Sequence, residues 1–216
     1  MSETVNFAAV NEMKKIFLSI WLLITIFFIA NAQEKADNTF GGWFFTEVNH
    51  DFKNGMYVTG YFEHDNYQFK RMECFYFRIS TGYNILPWLK FGVTYLPLCE
   101  PGNKWLQFGE VDLVGTLKSG NFKVSIRERY RHGFSNGTDE LRSRLKVAYS
   151  IPESRFGIYI APEVFTWGLE WKKARHYVAG TFNVTDNIQL ETYYMYYAFR
   201  NEAAEHVIGF GINFDL

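Results

Sequence analysis

The chain reads as an all-β protein, an antiparallel transmembrane β-barrel of about ten to twelve strands. Three observations predict this. Long alternating segments fill the chain after Phe40, almost no helical periodicity accompanies them, and 19% of the residues are aromatic although 21% are charged. A strand points successive side chains to opposite faces, so one sheet can carry an apolar surface on one side and a charged surface on the other. A barrel wall in lipid needs that division.

The N-terminal segment sets the expected compartment. From Met13 the sequence runs MKKIFLSIWLLITIFFIANAQ, with Lys14 and Lys15 ahead of an apolar run from Ile16 to Ala30. Ala30-Asn31-Ala32 then supplies the small-x-small pattern of a signal-peptidase site. The apolar run is shorter than the ~20 residues a membrane-spanning helix needs. No cysteine follows it, which speaks against a lipoprotein anchor. The expectation is a signal peptide over 1–32, with residues 1–12 as an upstream extension, and a single barrel domain over 33–216. Export to the outer membrane of a Gram-negative bacterium follows from that reading.

The strand candidates are 40–50, 55–64, 69–83, 89–97, 105–118, 122–132, 140–151, 156–166, 173–184, 188–199 and 204–216. Most exceed the about five or six residues usual in globular proteins and match the ~9–11, plus overhang, of a tilted transmembrane strand. Tight links at NILPW (84–88), SGN (119–121), IPESR (151–155) and TDN (185–187) alternate with longer ones at 97–104, 132–140, 167–173 and 200–205. That asymmetry is expected of an outer-membrane barrel. Eleven candidates conflict with the even strand number of bacterial single-chain barrels. Moreover, 40–50 would run in the same direction as the last strand. The expectation is twelve strands with one unseen, in preference to ten with 40–50 outside the wall.

The faces separate by parity. Val111, Leu113, Gly115 and Leu117 oppose Glu110, Asp112, Thr116 and Lys118. Leu141, Leu145, Val147 and Tyr149 oppose Arg142, Arg144, Lys146 and Ser150. A soluble sandwich also alternates, with its apolar face inward. Long uniform strands, and charges in tight rows with few of the lysines of a solvated surface, favour the membrane arrangement instead. Trp43, Trp88, Trp105, Trp167, Trp171 and Tyr193 to Tyr197 fall near strand ends, as an interfacial girdle would require. The last segment, HVIGFGINFDL, is similar to the terminal strand signal that the barrel-assembly machinery reads.

With the apolar face towards lipid, Arg127, Arg129 and Arg131 of SIRERYRHGF point into the lumen opposite Arg142, Arg144 and Lys146. Like charges at strand-pair distance repel, so carboxylates must intervene. By parity the candidates are Glu110, Asp112, Glu163 and Glu191, with Arg175 completing the set. Such a network fills a small lumen as a polar core, and any arginine it leaves over suits a small anionic ligand. A formal net charge of −1 speaks against a nucleic-acid partner. Cys74 and Cys99 would come nearly opposite each other at the loop end of one hairpin, a geometry open to a disulfide.

Signals of catalysis are poor. His132, Ser135 and Asp139 share one surface loop, the only local grouping of all three residue types. No metal spacing, phosphate loop or dinucleotide fingerprint is present, so no metal or cofactor is expected.

The early tryptophan strand GGWFFTEV, the basic hairpin RERYR then LRSRLKV, the strand YIAPEVF, the segment KKARHYVAG and the tyrosine-rich LETYYMYY together resemble a family of small outer-membrane barrels from Bacteroidetes-type bacteria, the domain of unknown function numbered 2490. The resemblance covers essentially all of the chain after the signal peptide. It implies fold and location, and brings no activity or catalytic residue with it. The expected function is non-enzymatic: a monomeric structural, binding or permeation barrel among outer-membrane lipid and lipopolysaccharide. An outer-membrane enzyme acting on lipid or peptide, and a soluble lipocalin-like periplasmic barrel, are the alternatives.

Overall fold

The computed structural model describes residues 39–168, 170–200 and 202–216. The expected signal peptide and its cleavage site lie outside the described residues. Eleven strands form one closed barrel: β1 (Thr39–Asp51), β2 (Met56–Tyr67), β3 (Arg71–Leu86), β4 (Leu89–Glu100), β5 (Lys104–Ser119), β6 (Phe122–Gly133), β7 (Asp139–Ser150), β8 (Phe156–Trp167), β9 (Glu170–Asn183), β10 (Ile188–Phe199) and β11 (Glu205–Asp215). All eleven segments expected from the alternation are present, most within a few residues of their expected limits.

Neither twelve nor ten is correct. An all-antiparallel ring closes only with an even number, and this one closes with eleven because its seam is parallel. β1 pairs with β11 from Thr39↔Glu205 to Asn49↔Asp215, while every other neighbouring pair is antiparallel. The shared direction of 40–50 and the last strand is therefore real, and β1 is a full wall strand bonded on both sides.

The expected contrast between short turns and long loops is absent. One end of the barrel carries links 52–55, 87–88, 120–121, 151–155 and 184–187, and the other carries 68–70, 101–103, 134–138, 168–169 and 200–204. Alternation continues into the stretches that looked like loops, so PLCE (97–100) ends β4 and Lys104 begins β5. Gly102 and Asn103 make the remaining bend with φ of 81° and 60°, left-handed angles that these two residues adopt at little cost.

Apolar side chains cover the outside. Phe77, Ile79, Val93, Leu113, Ile126, Leu145, Ile158, Val178 and Phe210 are all exposed there. The buried cluster lies within the barrel and comprises Trp43, Tyr159, Ala161, Ala179, Tyr193, Met195, Tyr197 and Val207. Two glycines of β11 make this packing feasible. A Cβ on Gly209 would fall 2.0 Å from the Tyr193 ring, and one on Gly211 would fall 2.0 Å from the Phe45 ring. Trp43, Tyr193 and Tyr197 are therefore lumen residues rather than girdle residues, whereas Trp88, Trp105, Trp167 and Trp171 are exposed as expected.

Candidate functional site

The site is the lumen, and β5 to β9 build its charged wall. The register of β6 against β7 sets Arg127 opposite Arg144, Arg129 opposite Arg142, Arg131 opposite Glu140 and Ser125 opposite Lys146. The two rows thus meet as two arginine–arginine rungs flanked by a mixed pair on one side and a lone lysine on the other.

Carboxylates from both flanks neutralise the upper rung. Asp112 takes Arg129 Nε on Oδ1 at 2.6 Å and Nη2 on Oδ2 at 2.9 Å, a bidentate pair. Glu110 lies 2.9 Å from Arg129 Nη1, accepts Arg131 Nη2 at 2.5 Å, and lies 3.7 Å from Arg78 Nε. Arg142 donates from Nε to Glu140 Oε1 at 2.6 Å, and Lys173 approaches the other oxygen of Glu140 to 3.6 Å. Glu110, Asp112, Arg129, Glu140 and Arg142 are all buried, so this network sits inside the protein and outside bulk solvent.

The lower rung has less. Arg127 donates from Nη2 to Glu163 Oε1 at 2.5 Å. Glu163 also lies opposite Arg144 across β7–β8 and opposite Arg175 across β8–β9. Among the described residues, no carboxylate comes within 4.0 Å of Arg144, Lys146 or Arg175. Aromatic rings take up two of these three. The Arg175 guanidinium lies 4.5 Å from the Tyr197 ring centre, 4.8 Å from Trp43 and 5.0 Å from Phe165, and Lys146 sits 3.6 Å from the centre of Tyr159. Glu191 does not meet Arg175; it accepts the Tyr159 hydroxyl at 2.6 Å.

All eleven expected charges therefore line the interior, and most meet in one network. The expectation missed Glu140, Lys173, Arg78, Glu63 and Asp65. Glu140 shares the parity of Arg142 in ELRSR, so the signal was there. Glu63 and Asp65 alternate with Phe62 and His64 in the same way. Glu63 receives the hydroxyls of Tyr61 and Tyr76, and Asp65 Oδ2 receives the Cys74 thiol at 3.2 Å.

The disulfide is corrected. Cys74 and Cys99 are both free, and it is Phe75 that pairs with Cys99. A register offset of one residue puts the two side chains on opposite faces of the sheet, Cys74 towards the lumen and Cys99 on the outer face, where it is buried opposite Phe75 and Trp105.

A cavity of about 210 Å³ lies within the lumen. Arg78, Arg127, Arg142, Arg144, Lys146 and Arg175 border it against Glu47, Glu63, Glu163 and Glu191, six cations to four carboxylates. Phe45, Tyr61, Tyr177 and Tyr193 are among the aromatic rings that line it. Glu63, Trp43 and Glu163, towards the barrel end that carries links 68–70 and 101–103, are buried, while Glu47, Lys146, Glu191 and Asn213, towards the end that carries links 52–55 and 151–155, are half-buried, so it opens towards the latter end. Among the described residues, no group of three or more His, Cys, Asp or Glu side chains is arranged to hold a metal.

A closed barrel with an apolar exterior and a charged interior is a porin-like fold. The chain belongs to the family described as "Protein of unknown function (DUF2490)", whose profile matches residues 40–207. Among solved structures it is similar to the NanC porin, solved in a rhombohedral crystal form. The two chains are 12% identical, the match covers 76% of this chain and 88% of that one, and the TM-score is 0.53. The likeness is one of fold. No curated protein matches the chain.

Proposed function

We propose that the protein is a monomeric integral barrel of the outer membrane in a Gram-negative, Bacteroidetes-type envelope, with a non-enzymatic role carried by a lumen that the arginine–carboxylate network braces and largely fills. The observation that carries this reading is the inside-out distribution of side chains. Exposed Phe, Ile, Leu and Val cover the outer wall, and Glu110, Asp112, Arg129, Glu140, Arg142 and Glu163 are buried within. Water would penalise such an exterior by about 25 cal/mol per Å² of exposed apolar surface, whereas lipid does not. A soluble lipocalin-like barrel carries the opposite arrangement.

The grouping His132, Ser135 and Asp139 does not support catalysis. His132 Nδ1 and Asp139 Oδ1 are 2.7 Å apart, which satisfies the minimum geometry of a base and its orienting acid. The pair nevertheless lies exposed on the outer rim, where the same Asp139 oxygen accepts the Tyr130 hydroxyl at 2.6 Å. Ser135 Oγ accepts the Gln107 backbone N–H at 3.0 Å, so its hydroxyl is turned to the backbone of β5. We read the grouping as a polar rim contact.

Expression with its N-terminal segment in a Gram-negative host tests the location. The expected product fractionates with outer membranes and migrates faster on gels before boiling than after. Recovery in the soluble periplasm would end the membrane reading.

A further inference from the structure

We propose that the lumen cavity is a binding site for a small organic monocarboxylate, held at Arg144. The proposal rests on the inward facing of the charges set out above, and does not depend on which membrane the barrel occupies.

The two arginine rungs are built alike and neutralised unequally. Arg129 and Arg142 are partnered by Asp112, Glu110 and Glu140. Arg127 and Arg144 share only Glu163, which bonds Arg127. The lower rung is short of one negative charge, at two like charges held in direct cross-strand register. The remaining carboxylates of the cavity are engaged elsewhere: Glu63 by Tyr61 and Tyr76, Glu191 by Tyr159, and Glu47 by the Asn49 amide at 3.0 Å. Two further donors around the cavity, Arg127 Nε and Arg175 Nε, are buried and have no acceptor among the described residues. A carboxylate at Arg144 supplies the missing charge and matches the planar guanidinium fork.

The body of the ligand follows from the other lining. The cavity's about 210 Å³ far exceeds the ~30 Å³ that one water occupies in the liquid. Beside the charged groups it offers aromatic rings, with Tyr177 and Tyr193 5.4 Å apart edge to face and Phe45 and Tyr61 stacked at 5.6 Å. Such rings suit a planar organic body better than a bare inorganic ion.

Calorimetric titration of the purified, detergent-folded barrel with benzoate, acetate and inorganic phosphate at millimolar concentration tests this. Benzoate is expected to bind more tightly than acetate or phosphate, and Arg144→Gln to weaken it by about tenfold or more, as losing a charge-assisted bond does. Lys146→Gln, a second variant, is expected to weaken it less. Wild-type protein in benzoate should also melt higher than in chloride of equal ionic strength. Equal binding by Arg144→Gln, phosphate binding tighter than benzoate, or no benzoate binding to folded protein would each overturn the assignment. None of these results bears on the membrane location, which fractionation decides separately.

Discussion

Arg129 closes on Asp112 with two bonds, Nε to Oδ1 at 2.6 Å and Nη2 to Oδ2 at 2.9 Å, inside a wall where Glu110 holds Arg129 and Arg131 together. Removing one partner of a buried ion pair leaves a desolvated charge and costs about 3–5 kcal/mol, whereas replacing the whole set with apolar residues is often close to neutral. Urea unfolding in lipid vesicles should therefore rank Glu110→Gln as more damaging than Asp112→Asn. Glu110 is shared among three arginines, while Arg129 keeps Glu110 when Asp112 is lost. An Asp112→Leu/Arg129→Met pair should recover most of the loss of Asp112→Asn. Equal and negligible effects for all three variants would show that the network does not brace the barrel.

Glu140→Gln should be comparably costly, because Arg142 at 2.6 Å, Lys173 at 3.6 Å and Arg131 at 4.0 Å all converge on that carboxylate. The same unfolding assay reads it. This residue also marks what the sequence made legible. Period-two alternation located all eleven strands and turned the arginine rows inward, since parity survives any error in strand ends. Parity also marked Glu140, but a strand limit drawn at the edge of an apparent loop hid it. Register was not legible, because sliding β6 against β7 by two residues preserves every face while exchanging every partner. Arg127 accordingly meets Arg144, and Arg131 meets Glu140. Nor could alternation reveal the parallel seam at β1–β11, which depends on how the ring closes.

The cysteines follow the same logic of register. Cys74 faces the lumen and donates to Asp65, and Cys99 lies on the outer face. Mass spectrometry after alkylation of the unfolded, unreduced protein should find two modified thiols. Dithiothreitol should leave the thermal midpoint unchanged. A recovered Cys74–Cys99 disulfide would require the β3–β4 register to shift by one residue.

Glu128 faces outward at the middle of β6, six residues from Phe122 and five from Gly133. Ser143, across on β7, donates to its Oε2 at 2.6 Å and gives it one polar contact on the apolar wall. A carboxylate in mid-bilayer is unfavourable on the lipid face, though less so than a lysine or arginine there. Glu128→Leu should therefore stabilise the barrel in vesicles by up to about 2 kcal/mol, and Ser143→Ala should destabilise it slightly. If Glu128→Leu is destabilising, this stretch of wall contacts something other than lipid.

The half of the lumen towards links 68–70 and 101–103 decides whether the barrel conducts. Arg175 is enclosed there by Trp43, Phe165 and Tyr197 at 4.5–5.0 Å, and Met195 and Val207 are fully buried beside them. Packing of that kind obstructs the lumen, so the wild-type protein should show no steady current in planar bilayers. Trp43→Ala/Tyr197→Ala removes two walls of the enclosure while leaving Arg175 and the salt-bridged rung in place. Each truncation costs about 3–5 kcal/mol of packing, so folding must first be verified by the gel shift on boiling. The folded double variant should conduct, and should favour anions over cations because Arg175 then lines the opening with no carboxylate within 4.0 Å of it among the described residues. Steady wild-type conductance would show that the plug moves aside, and the rings around Arg175 would then be a gate.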